Sequence, residues 1–168
     1  LADDPWYSAI PTLTAAALVT TKMRLGTLVA SPNFRHPVPF AKELVTLDEI
    51  SGGRLNLGLG AGGIGFDATV LGESVMPARA RADRFIEFVE LLDQLLAGDH
   101  TTVAGEYFVA EDARTVPLPS QRPRIPFVVA ANGPRLMRLA AKQGAGWVTT
   151  GTSGPDDGLD AWWSNVAE

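Results

Sequence analysis

Cysteine is missing from all 168 residues, which removes disulfides, thiolate metal ligands and a cysteine nucleophile and leaves any redox chemistry to a bound cofactor. Basic charge is scarce as well. Lys and Arg number 14 against 19 Asp and Glu, for a net charge of -5, and the cations stand singly or in pairs. Phosphate backbones are held by clustered Lys and Arg, so no nucleic-acid partner is expected, and an anionic ligand would need a local device. No apolar run approaches the roughly 18 residues of a membrane span, and the opening Leu1-Ala2-Asp3-Asp4 lacks the layout of a signal peptide. The H-E-x-x-H metal motif and the G-x-S-x-G nucleophile elbow are missing too, so no metal site is expected. These absences point to a cytoplasmic protein without a membrane partner. What is present, 46% hydrophobic and 20% charged residues, is the ordinary balance of an α/β domain with a buried core.

Hydrophobic periodicity divides the chain into alternating elements. Asp4-Pro5 reads as an N-cap and first helical residue, with Trp6, Ile10, Leu13 and Ala17 on one face up to about Thr21. Residues 23–30 read as a strand stopped by Ser31-Pro32-Asn33. Pro37 opens a second helix that Ser51-Gly52-Gly53 ends. Residues 54–60 form a second strand, with Leu55, Leu57 and Leu59 on one face and Asn56, Gly58 and Gly60 on the other. Residues 77–97 are the longest helix, with an apolar stripe of Phe85, Phe88, Val89, Leu92, Leu95 and Leu96. A hairpin over residues 101–109 should turn at Ala104-Gly105, and the proline-rich residues 116–126 read as a connector. Residues 127–131 and 146–150 complete the strands, with a helix over 134–143 between them. The alternation selects an α/β fold with parallel strands, either an open doubly wound sheet or a closed barrel.

Two glycine-rich segments follow strands. Gly60-Ala61-Gly62-Gly63-Ile64-Gly65 matches the dinucleotide fingerprint in spacing, yet no sustained helical period follows at once, as a pyrophosphate site requires. The alternatives are a glycine turn that only lets the chain leave the strand, or bare backbone at Gly60 and Gly62 that a flat cofactor approaches. In Ala130-Ala131-Asn132-Gly133-Pro134, Asn132 stands at an N-cap position, where free amides and the helix dipole suit a phosphate; equally, Asn132 caps its own helix. Thr149 and Thr150 either add hydroxyl donors to that site or are ordinary strand-end threonines. His36, before Pro37, is a candidate acid or base, with capping or packing as the plainer role. Asp67 and Glu73 read as solvated loop acids, and His100 as an exposed residue.

Arg24-Leu25-Gly26-Thr27-Leu28-Val29, Phe34-Arg35-His36-Pro37, the run L-D-E-I-S-G-G-R-L-N-L-G over residues 47–58, and residues 126–147 together resemble the bacterial luciferase-like monooxygenases. The likeness extends especially to the branch that uses the deazaflavin coenzyme F420. The resemblance implies an eight-stranded TIM barrel, of which this chain supplies about the third to sixth strands as a single domain over residues 1–168, incomplete at both ends. It implies a flavin-type oxidoreductase or monooxygenase that uses reduced FMN or F420 on a small organic substrate, with a homodimer common in similar enzymes. It places the cofactor ring over a bulge at Thr27, Leu28 and Val29, with Leu28–Val29 the candidate cis peptide. The phosphate would lie on Ala130, Ala131, Asn132 and Gly133, near Thr150. Where sugar-phosphate dehydrogenases of the F420 branch carry a proton-donating glutamate and then an asparagine, this chain has Gly63 and Phe66, which puts sugar-phosphate oxidation in doubt. A catalytically silent flavin binder and an NAD(P)-binding Rossmann enzyme remain as other readings.

Overall fold

The computed structural model describes residues 5–150 and residue 164. Helix α1 spans Ala9–Val19, β1 Leu25–Gly26, α2 Pro37–Ser51, β2 Leu55–Leu59 and α3 Ala78–Ala97. Strands β3, His100–Ala104, and β4, Val109–Arg114, form a hairpin, after which come β5, Phe127–Ala130, α4, Pro134–Gln143, and β6, Gly146–Val148. Strands β1, β2, β5 and β6 make one sheet in that order, and every pairing in it is parallel. Strand order follows chain order without reversal, and α1 packs on α2, α2 on α3 and α3 on α4. One continuous row of helices along one face is the winding of a β/α barrel; a doubly wound sheet reverses its order and places helices on both faces.

The core lies between that row and the sheet. Leu55, Leu57 and Leu59 are fully buried beneath the helices, as is the α3 stripe of Phe85, Phe88, Val89, Leu92, Leu95 and Leu96. Each such side chain contributes about 1.5–3 kcal/mol of transfer free energy. At the amino-terminal side of the sheet, buried Asp48 accepts from the Gln121 backbone N–H at 3.1 Å and from its Nε2 at 2.7 Å. Arg54 reaches the carbonyl oxygens of Ala17, Thr20, Met23 and Ser51, joining α1 and α2 to the start of β2. No helix among the described residues is long and apolar enough to cross a membrane.

Several boundaries differ from the sequence expectation. Helix α1 begins at Ala9 rather than Pro5, with Ser8 at its N-cap position, and Asp4 lies outside the described residues. Pro11 then falls in the first turn, where a missing N–H leaves no hydrogen bond unmade. The hairpin does not turn at Ala104-Gly105: its strands extend to His100 and Arg114, and residues 105–108 make the turn. The cause is remote in sequence, because the Glu87 carboxylate on α3 accepts the backbone N–H groups of Glu106, Tyr107 and Phe108. Strand β1 is far shorter than residues 23–30. Gly26 pairs with Asn56 and Ala30 with Leu59, four steps against three, so one extra residue bulges from the edge.

Candidate functional site

Because the sheet is parallel, the carboxyl ends of β1, β2, β5 and β6 come to one edge. Register places Ala30 beside Leu59, Leu59 beside Val129 and Ala130 beside Val148, which gathers both glycine-rich segments there. A cleft of about 980 Å³ opens at this edge. Val29, Gly60, Gly62 and Ala130 line it from the strand ends, and Trp6, Tyr7 and Phe34 supply aromatic walls. Arg35 and Glu43 place one charge of each sign in the same wall. Burial holds the Arg35 guanidinium below its ordinary range, with Glu43 opposing.

The bulge of β1 borders the cleft. The Leu28–Val29 peptide is cis, and both side chains are exposed, Leu28 by 80% and Val29 by 39%. Thr27 Oγ1 donates to the Gly58 carbonyl oxygen at 2.6 Å, and Ala30 rejoins the sheet by donating to the same carbonyl and accepting from Gly60 N–H. The three residues expected to underlie a cofactor ring therefore divide the work, Thr27 locking the bulge to β2 while Leu28 and Val29 present apolar surface.

Gly60 and Gly62 serve the chain's own packing, a role the sequence reading did not assign them. A Cβ on Gly60 would stand 2.5 Å from Val29 Cγ2, and one on Gly62, where φ is +85°, would stand 2.6 Å from Asn33 Nδ2. The dinucleotide reading fails on geometry: a single 3-10 turn, Phe66–Ala68, follows the glycines, and Asp67 Oδ2 folds back to accept Gly63 N–H at 3.0 Å. Among the described residues no α-helix N-terminus meets this loop, so a pyrophosphate has no cradle in it.

Asn132 is not the N-cap of α4. That position belongs to Gly133, which has no side chain to give, while Pro134 brings no N–H to the first turn. The Asn132 amide instead joins the β5 end to the β6 end: Nδ2 donates to Thr150 Oγ1 at 2.7 Å, and Oδ1 accepts from Thr149 Oγ1 at 2.7 Å and Thr150 N at 3.3 Å. Ala131 is buried, its N–H on the Val148 carbonyl and its own oxygen on Trp147 Nε1. Gly133 faces open space, with no atom within 4 Å of where a Cβ would lie. The N-terminus of α4 thus keeps its amides and its dipole uncapped by any side chain.

His36 does not line the cleft. Its Nδ1 accepts the Val38 N–H at 3.3 Å as the cap of α2, and its ring stands edge-on to Phe108 at 5.5 Å. His100 lies on exposed β3 against Asp112 Oδ1 at 2.7 Å. Sequence reasoning did not single out Asn33. Its amide joins the loop acid Asp67, which is not simply solvated, to Arg84 on α3. Burial, helped by Arg81, lowers the Arg84 guanidinium from its ordinary value, while Glu73 and Tyr107 pull the other way. An Asn in a Ser-Pro-Asn breaker carries no periodic signal that would mark it.

Parallel strands in chain order, an outer row of helices and a ligand-sized cleft at the carboxyl ends define a β/α-barrel scaffold with its site on the expected face. Within that class the chain belongs to the luciferase-like monooxygenase family, whose profile matches residues 2–168. It is 36% identical over 148 residues to an F420-dependent glucose-6-phosphate dehydrogenase of Beutenbergia cavernae, covering 88% of this chain and 43% of that protein. Among solved structures it is similar to the monooxygenase RslO1 from Streptomyces bottropensis, with TM-score 0.80, 30% identity and coverage of 95% of this chain and 48% of that one. It shares the fold of an F420-dependent secondary alcohol dehydrogenase, with TM-score 0.81, 21% identity and coverage of 99% and 52%. The chain therefore spans about half the length of the proteins it matches.

Proposed function

We propose that this chain supplies the cofactor-holding part of an oxidoreductase that works with a reduced flavin-type cofactor, F420 in preference to FMN, on a small organic substrate. The observation that carries the reading is the meeting, at one sheet edge, of an apolar bulge, a large cleft and an uncapped helix N-terminus. The exposed Leu28 and Val29 side chains suit the face of a flat ring. The open first turn of α4 suits a phosphate, which the Asn132 and Gly133 amides would hold with the Thr150 hydroxyl. Thr150 Oγ1 already accepts from Asn132, so its own O–H remains to donate. Ala130 and Ala131 contribute position rather than hydrogen bonds, since the Ala131 groups are paired within the fold. The preference for F420 comes from relatives such as the Beutenbergia cavernae enzyme, named for that cofactor.

When bound, such a cofactor supplies hydride to an acceptor or reducing power to oxygen. The chain's own part is to orient and to exclude water. Trp6, Tyr7 and Phe34 are exposed aromatic surface along the cleft that a bound ring or substrate would cover, and Arg35 and Glu43 offer polar substrate atoms one charge of each sign. A sugar phosphate is not the substrate we favour, because Gly63 and Phe66 stand where that chemistry uses a glutamate and an asparagine.

Titration of the full-chain protein with F420 and with FMN, followed by fluorescence, tests the reading through Gly133→Asp. At φ −117° and ψ 155° the new carboxylate can cap α4, so stability should be kept or rise by about a few tenths of a kcal/mol, the usual difference between Gly and Asp at an N-cap. The same carboxylate occupies the anion position, so affinity for the phosphorylated cofactor should fall by about tenfold or more. Binding of neither cofactor to the unaltered protein would sink the proposal.

A further inference from the structure

The glycine-rich wall of the cleft has little to hold its shape. Four glycines lie within residues 60–65, and the only regular structure that follows before α3 is one 3-10 turn. Glycines give a segment the widest conformational freedom of any residue, so an ordered wall here needs fixing from outside. One polar relay provides it. Asp67 Oδ2 accepts from Gly63 N at 3.0 Å and from Asn33 Nδ2 at 2.9 Å, and Arg84 Nη2 on α3 donates to Asn33 Oδ1. The guanidinium decides which way the Asn33 amide faces: with the carbonyl oxygen turned to Arg84, the amino group must face Asp67. The Asn33 amide also lies flat against Gly62, whose missing Cβ would approach all three of its polar-end atoms within 2.6–2.8 Å.

The same residues form a partition. Gly63 and Asp67 line the large cleft on one side, and with Asn33 and Arg84 they line a second chamber of about 390 Å³ on the other. We infer that Asn33 is a positioning residue for the cleft: through Asp67 it sets the conformation of residues 60–67 and keeps the cleft shut off from the chamber behind. Its effect on cofactor affinity rests on the cofactor reading above; its effect on the loop does not.

Amide hydrogen exchange of residues 60–68, with residues 127–130 of β5 as the reference, and titration with F420 and FMN test this on the full-chain protein. Asn33→Ala should speed exchange of the loop by about tenfold or more while β5 stays protected, and should weaken cofactor binding by about tenfold. Asn33→Asp keeps an acceptor for Arg84 but sets two carboxylates together, so it should do the same. Combining Asn33→Asp with Asp67→Asn restores the order of donors and acceptors and the net charge. The new carboxylate takes Arg84 and the new amide, and that amide's oxygen takes Gly63 N–H. The pair should recover most of the protection and affinity, a coupling that a loss of packing alone would not produce. Unchanged loop exchange in Asn33→Ala, or a double exchange no better than the worse single, overturns the inference. If Asn33→Ala loses protection throughout, recovery or failure in the double exchange decides. If the unaltered protein binds neither cofactor, the cofactor reading falls and loop exchange alone decides this one.

Discussion

At the residue scale, Gly58 of β2 shows how a bare position can be demanded by the protein's own backbone. A Cβ on Gly58 would stand 2.0 Å from the Thr27 carbonyl oxygen and 3.0 Å from its carbon, both backbone atoms of the bulge. A flexible side chain could move aside, but this segment is tied to β2 by the Thr27 hydroxyl and the Ala30 N–H. Gly58→Ala should therefore cost about 3 kcal/mol or more, at the upper end of overpacking effects, read from urea unfolding midpoints. A change under about 0.5 kcal/mol, the range of neutral surface substitutions, would show that the bulge is free to shift. The sequence shows Gly58 only as part of a bare strand face; what fills that face is the bulged backbone of β1, out of reach of any local pattern.

At the scale of elements, the β3–β4 hairpin depends on a carboxylate from another element. Its strands carry mostly exposed side chains, and an isolated two-stranded hairpin is marginal in water. Glu87 supplies the missing order by accepting three turn amides at 2.6–3.0 Å. Asp112, at φ +44°, adds a local bulge, which its short polar side chain tolerates. Glu87→Ala should destabilise the protein by about 2–4 kcal/mol, since charge-assisted bonds are lost and turn amides are left without a partner. Amide exchange should speed in residues 100–114 ahead of β5; equal protection of the hairpin in the variant would contradict this account. The sequence indicated a hairpin here through its β-branched residues and its glycine, but placed the turn too early because Glu87 lies well upstream.

At the scale of the whole molecule, the sheet has two outer strands, β1 and β6, each paired on one side among the described residues. Leu18, Val19, Leu28 and Met23 add exposed apolar surface, between 63% and 83% exposed. Unpaired parallel edges beside apolar surface invite association. The 168-residue chain expressed by itself should therefore sediment as a dimer or larger species at concentrations of about 10 μM and above. A single species of 17.8 kDa under those conditions would show that the edges are protected in some other way. In a full barrel of the family the two strand edges would be paired with further strands.

The sequence by itself determined the element types and their order, because burial against one sheet face writes a period of 3.6 or 2 into the residues, as in the α3 stripe and in Leu55, Leu57 and Leu59. It also determined which loops come to the site, since parallel strands bring every βα turn to one edge. Only the tertiary structure decided that Asn132 joins two strand ends instead of capping α4, that His36 packs on Phe108, and that Asn33, Asp67 and Arg84 form a relay. Each of these depends on partners 17 to 72 positions apart in the chain, through side-chain contacts whose geometry leaves no periodic trace.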